Sequence, residues 1–147
     1  MTYAWDPPPP VSQSGGDSFG QMAVKGVIVL LHGYGAHSQY QWMNAKNPGE
    51  VHTIYEGTTV ESMVKLGYAV RTLDHQSMGR SEGLDGHRCY FNKFDDLCEE
   101  ALIYIKQYVL KEEQLAGLPV FLFGISMGGG TCIRLAEEEP NLFAGKL

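Results

Sequence analysis

The chain alternates between short continuous apolar runs and longer stretches with apolar residues at helical spacing. The first run, Gly26-Val-Ile-Val-Leu-Leu31, is rich in β-branched residues and ends at His32-Gly33. An unbroken apolar run of this length suits a strand buried on both faces of a parallel sheet. Residues 47–56 read as irregular. Thr58-Thr-Val-Glu61 fits a capping box, in which the threonine hydroxyl takes the amide three residues on and the glutamate reaches back. Val60, Met63 and Val64 follow at helical spacing, with Gly67 as the stop. Tyr68–Leu73 is a second strand, running into the loop Asp74–Gly83. Asn92 opens a second helix, whose predicted buried stripe is Phe94, Leu97, Cys98, Ala101, Leu102, Ile105, Tyr108 and Val109. Leu118–Phe123 is a third strand. A third helix starts at Ser126 and must end by Pro140. Strand, helix, strand, helix, strand, helix predicts an α/β layered sheet with right-handed crossovers.

Before these elements lies a leader, residues 1–20. Its segment DPPPPVSQSGGDSFG reads as extended polyproline followed by a surface loop. The expected organisation is therefore a Pro/Ser/Gly-rich leader over 1–20 and one α/β unit over 21–147. The 147 residues suffice for a single hydrophobic core.

Charge and cysteine content narrow the function classes. The formal charge of −6, with no Lys/Arg cluster, argues against a nucleic-acid partner. Cys89, Cys98 and Cys132 are read as reduced thiols of a cytoplasmic chain, Cys132 as a packed small group behind Ser126. The N-terminus lacks the basic and apolar regions of a secretory signal, and no apolar run could cross a bilayer. Peripheral contact with a membrane surface stays open. No His/Cys/Asp group has metal-ligand spacing and no phosphate-cradling glycine loop is present, so neither metal nor cofactor is expected.

Chemistry concentrates in FLFGISMGGG, Phe121–Gly130. Gly124-Ile-Ser126-Met-Gly128 has the G-x-S-x-G spacing of a nucleophilic serine, and it follows a predicted strand and opens a predicted helix. A hydroxyl needs activation to attack at neutral pH. A sharp bend would present Ser126, and Gly124 and Gly128 would let strand and helix approach. A plain strand-to-helix turn with a serine N-cap would use the same residues differently. Upstream, Gly33 and Gly35 in His32-Gly33-Tyr34-Gly35 follow the first strand. The backbone N–H groups of Tyr34 and Met127 are the candidate pair for a developing oxyanion.

LLHGYGAHS (30–38), LDHQSMGRSEG (73–83) and GLPVFLFGISMGG (117–129) together resemble the monoacylglycerol lipases and lysophospholipase-like serine hydrolases. The likeness runs from about Gly26 onward. It implies a truncated α/β-hydrolase fold, with central parallel strands and a nucleophile elbow and with the later strands and lid absent. It further implies an acyl-Ser126 intermediate, Tyr34 and Met127 amides as oxyanion hole, and a small acyl-ester lipid as substrate. His32 is implied to order the oxyanion loop, and Tyr3-Ala-Trp5 to be the tail of an earlier strand. Ser77 departs from the family's D-x-x-G-x-G-x-S-x-G loop, standing at its first glycine.

In this fold the triad runs Ser, then Asp or Glu, then His. All five histidines, His32, His37, His52, His75 and His87, precede Ser126. The expectation is an incomplete hydrolase sequence lacking the triad acid and histidine, with His37 and His75 the first to test as a base in cis. Asp74 is expected to cap its own loop, and Glu137–Glu139 to lie on an exposed face. The alternative is a short non-catalytic protein binding acylated ligands or a partner, its exposed edge strand open to self-association. An acyltransferase or peptidase on the same scaffold is a third reading.

Overall fold

The computed structural model describes residues 1–8 and 23–146. Most of the expected polyproline and loop segment, residues 9–20, lies outside the described residues, as does the expected boundary at 20/21.

Among the described residues, five strands form one sheet: β1 (Thr2–Trp5), β2 (Gly26–Leu31), β3 (Tyr68–Leu73), β4 (Val120–Gly124) and β5 (Gly145–Lys146). Their spatial order is β1-β3-β2-β4-β5. β3, β2, β4 and β5 are parallel, and β1 runs antiparallel on the edge of β3. The chain thus starts a central strand at β2, moves one way to β3, then crosses back to β4 and β5. That reversal places the C-terminal ends of β2 and β4 side by side, the point at which open α/β sheets bind ligands.

The helices are α1 (Ser38–Trp42), α2 (Thr59–Lys65), α3 (Phe94–Gln107) and α4 (Met127–Glu138). α3 and α4 cover one face. Leu97, Cys98, Ala101, Ile105, Cys132 and Leu135 pack there on Val27, Val29, Leu31 and Leu122 of the sheet. α1 and α2 cover part of the other face, where Trp42, Val60 and Val64 meet Leu30 and Val70. Burial on both faces explains why β2 is apolar at successive positions.

Local departures have local causes. The Thr58 hydroxyl accepts the Glu61 N–H at 3.1 Å as expected, but the Glu61 carboxylate takes the N–H of Gly57, at 2.8 Å, because Thr58's own amide donates to Tyr55. α3 is capped at Lys93, one residue after Asn92, and its buried aromatic is Tyr104 instead of Tyr108. The α-helix ends at Gln107 and tightens into a 3₁₀ turn at Val109–Lys111, which swings Tyr108 into solvent. β4 begins at Val120 because Pro119 has no N–H to give a ladder; its carbonyl instead accepts the Val27 amide at 2.9 Å. The short α1 had no counterpart in the sequence pattern. It forms because the His37 ring accepts the Tyr40 N–H and Asp74 holds the Ser38 N–H at 2.8 Å.

Arg71 lies on β3 with its side chain buried. Its guanidinium makes a bidentate pair with Glu112 (2.8 and 2.6 Å) and a contact with Asp6 at 2.8 Å. It also donates to the carbonyls of Trp5 and Val70. This fork ties the end of β1 and the segment after α3 to the sheet.

Candidate functional site

Ser126 sits between the last residue pair of β4 and the first turn of α4, at φ 55°, ψ −116°. A non-glycine residue in this region is strained, and strain persists only where surrounding structure imposes it. Here the imposition is close packing. A Cβ on Gly124 would lie 2.3 Å from the backbone of Gly128, and one on Gly128 would lie 2.0 Å from the Leu31 oxygen. Only hydrogen fits at either position, so α4 starts against the ends of β2 and β4 and the chain must bend sharply at the serine. The Ile125 N–H donates to the Leu31 carbonyl at 3.2 Å, fixing the bend to β2.

The serine is exposed, and its hydroxyl makes no capping bond to α4. Its own carbonyl, by contrast, accepts the Gly130 N–H as the helix begins. An ordinary serine N-cap would in addition accept the N–H of the second or third helical residue with its side chain.

The His32–Gly35 loop reaches the same point from β2. A Cβ on Gly33 would lie 3.5 Å from the Ser126 Cβ and from the Ile125 carbonyl oxygen. Gly35 has open space around it but turns at φ 70°, which a side chain would strain. Among the described residues, neither the Tyr34 N–H nor the Met127 N–H donates to a backbone carbonyl.

His32 is fully buried and braces this loop. Its Nδ1 lies 2.9 Å from the Gly33 carbonyl, and its Nε2 accepts the His75 backbone N–H at 3.0 Å. Nε2 as acceptor fixes the neutral tautomer with hydrogen on Nδ1. Burial pushes the His32 pKa down to about 4, against the opposing effect of its bond to Gly33. The ring therefore joins the Gly33 carbonyl to the Asp74–Gly83 loop and is spent on both nitrogens.

Asp74 anchors that second loop. Its Oδ1 accepts the Ser38 N–H at 2.8 Å and its Oδ2 the Arg80 N–H at 2.9 Å. Burial acts to raise its pKa, but these amide bonds outweigh it and hold the carboxyl below its usual range. Ser77 stands at φ 63°, in the backbone region its family glycine would occupy freely. Its hydroxyl accepts the Leu84 N–H at 2.8 Å, its N–H reaches the Glu82 carbonyl and its carbonyl takes the Cys89 N–H.

Of the two histidines considered as a base in cis, His37 caps α1 and His75 is fully buried, its Nδ1 3.6 Å from a Glu100 carboxylate oxygen. Among the described residues no histidine is hydrogen-bonded to the Ser126 hydroxyl. Burial pushes the Cys132 thiol up to about 12, in keeping with a packed group. Among the described residues no three His, Cys, Asp or Glu side chains come together as a metal site, and no helix is long and apolar enough to cross a membrane.

The strand order and the bend at Ser126 define an α/β-hydrolase fold. The structure superimposes on a thermostable carboxyl esterase from Bacillus coagulans with a TM-score of 0.67 at 19% identity, covering 99% of this chain and 37% of that one. It superimposes on a soluble variant of monoglyceride lipase from Saccharomyces cerevisiae with a TM-score of 0.60 at 20% identity, covering 99% and 38%. Residues 49–147 match the family described as serine aminopeptidase, S33, and the chain belongs to that family. In sequence it is 32% identical over 123 residues to caffeoylshikimate esterase of Arabidopsis thaliana, covering 83% of this chain and 32% of that protein. It is 30% identical over 122 residues to human monoglyceride lipase, covering 82% and 33%. The chain thus spans about a third of the length of the curated relatives it matches.

Proposed function

We propose that this chain carries the nucleophile and oxyanion hole of a serine hydrolase of monoacylglycerol lipase type. Ser126 Oγ attacks the carbonyl carbon of an acyl ester. The carbonyl oxygen gains the negative charge and is met by the N–H groups of Tyr34 and Met127. Collapse expels the alcohol and leaves an acyl-Ser126 intermediate, which water then hydrolyses. Acylglycerol-type lipids are the proposed substrate, by similarity to monoglyceride lipases. A cytoplasmic setting with peripheral membrane contact belongs to the same reading.

The observation that carries the proposal is the strained, exposed Ser126 whose hydroxyl caps nothing, with Gly33 packed against it. The base that takes its proton, and the carboxylate orienting that base, are proposed to lie in sequence beyond these residues, as the longer relatives allow. The test is labelling with a fluorophosphonate. The 147-residue chain should react slowly, at most about 10³–10⁴-fold above the uncatalysed reaction. A longer form supplying a histidine and an acid should react fast, and Ser126→Ala should abolish reaction in both. A longer form that stays unlabelled while folded would remove the hydrolase reading in favour of non-catalytic binding. Labelling that survives Ser126→Ala would remove the serine.

A further inference from the structure

The tip of the His32–Gly35 loop is held from its far side by its own side chain. The Tyr34 ring is largely exposed, yet its hydroxyl donates to the Cys89 carbonyl at 2.7 Å, across 55 residues of sequence. The ring edge also meets Phe91 at a centroid separation of 6.2 Å. The Cys89 carbonyl is itself fixed in place. Cys89 stands at φ 52°, and its N–H donates to the Ser77 carbonyl at 2.8 Å. Ser77 in turn holds the Leu84 N–H with its hydroxyl and the Glu82 carbonyl with its amide. A continuous hydrogen-bonded path therefore runs from the buried loop after β3, through Ser77 and Cys89, to the Tyr34 phenol.

From this arrangement we infer that Tyr34 is a positioning residue whose side chain, latched to the Cys89 carbonyl, aims its own backbone N–H at the Ser126 site. The inference rests on the proposed oxyanion role of that amide and adds what sets its direction. His32 holds the loop from beneath by the Gly33 carbonyl, and the same carbonyl accepts the Ala36 N–H at 3.2 Å to close a turn across Tyr34 and Gly35, which leaves the direction of the residue 34 amide to a further restraint. That amide has no carbonyl partner among the described residues that would fix it otherwise. The phenol supplies that restraint at the one residue between the two glycines. An oxyanion donor is effective only when it is already aimed before charge develops.

The decisive comparison is Tyr34→Phe, which keeps the ring against Phe91 and removes only the donor. Two readouts separate the latch from the hydrolase reading. Backbone ¹⁵N relaxation on the 147-residue chain should give the Tyr34 amide an order parameter near 0.85 in the parent and below about 0.6 in the variant. Fluorophosphonate kinetics, on whichever form reacts, should show the maximal labelling rate falling about tenfold with the half-saturating concentration unchanged. That is less than the 10²–10³-fold cost of deleting a donor outright. Should the phenylalanine variant fail to fold, Phe91→Leu, which slackens the same ring, should lower the same order parameter. An unchanged order parameter in a folded variant overturns the latch, whether or not the serine reacts. A folded longer form that never labels, with the order parameter of the 147-residue chain falling as stated, removes the hydrolase reading and leaves the latch standing.

Discussion

Gly128 lies so close to Leu31 that a methyl group added to it would sit 2.0 Å from the Leu31 carbonyl oxygen. This contact joins the first turn of α4 to the end of β2, and it forces the chain to bend at Ser126. Gly128→Ala must therefore push α4 away from the sheet. We expect a loss of about 3 kcal/mol, the upper end for overpacking, measured by urea unfolding. Gly35→Ala meets no atom and bears only backbone strain, expected at about 1–2 kcal/mol. Equal losses in the two variants would show that packing does not govern the bend.

Stability should fall as the solution is acidified from about pH 6.5 to about pH 4. The unfolded His32 takes up a proton near 6.5, whereas the folded one resists until about 4. Between those values the unfolded state binds more protons, so each step down in pH favours unfolding. The contribution is on the order of 3 kcal/mol, fully present above 6.5. Below about pH 4, where the unfolded carboxylate takes up its proton, the lowered pKa of Asp74 adds a further loss of the same sign. Urea midpoints across this range should show the slope in the parent and a shallower one in His32→Gln. Parallel slopes would refute the assignment.

Glu112→Ala should destabilise the protein by about 2 kcal/mol, because it strips the bidentate partner from a buried guanidinium and leaves it only Asp6 and two carbonyls. Arg71→Leu combined with Glu112→Leu should cost less, since the buried guanidinium is then removed together with its bidentate partner. Thermal unfolding distinguishes the two, and a double variant weaker than Glu112→Ala would contradict the argument.

At Ser77 two effects oppose each other. Ser77→Ala keeps the unfavourable φ of 63° and orphans the Leu84 N–H, with an expected cost of about 1–2 kcal/mol. Ser77→Gly loses the same bond but relieves the backbone, so it should be the milder change by about 1 kcal/mol. The reverse order in urea unfolding would show that relief of the positive φ does not govern this position.

The sequence by itself determined the strand and helix order, because continuous apolar β-branched runs and a 3.6-residue stripe reflect burial that each element needs wherever it packs. It also marked the G-x-S-x-G bend, since glycine at two fixed offsets from a serine has a steric meaning that survives without coordinates. Other features needed the tertiary structure. Tyr104 replaced Tyr108 in the core because a helix end, invisible to periodicity, turned one ring outward. α1 depended on Asp74, 36 residues away from the amide it holds. The contact of Gly33 with Ser126, the two bonds of His32 and the Tyr34 phenol on Cys89 all join segments distant in sequence. Such pairings carry no local signature, because only the order of strands in the sheet brings their ends together.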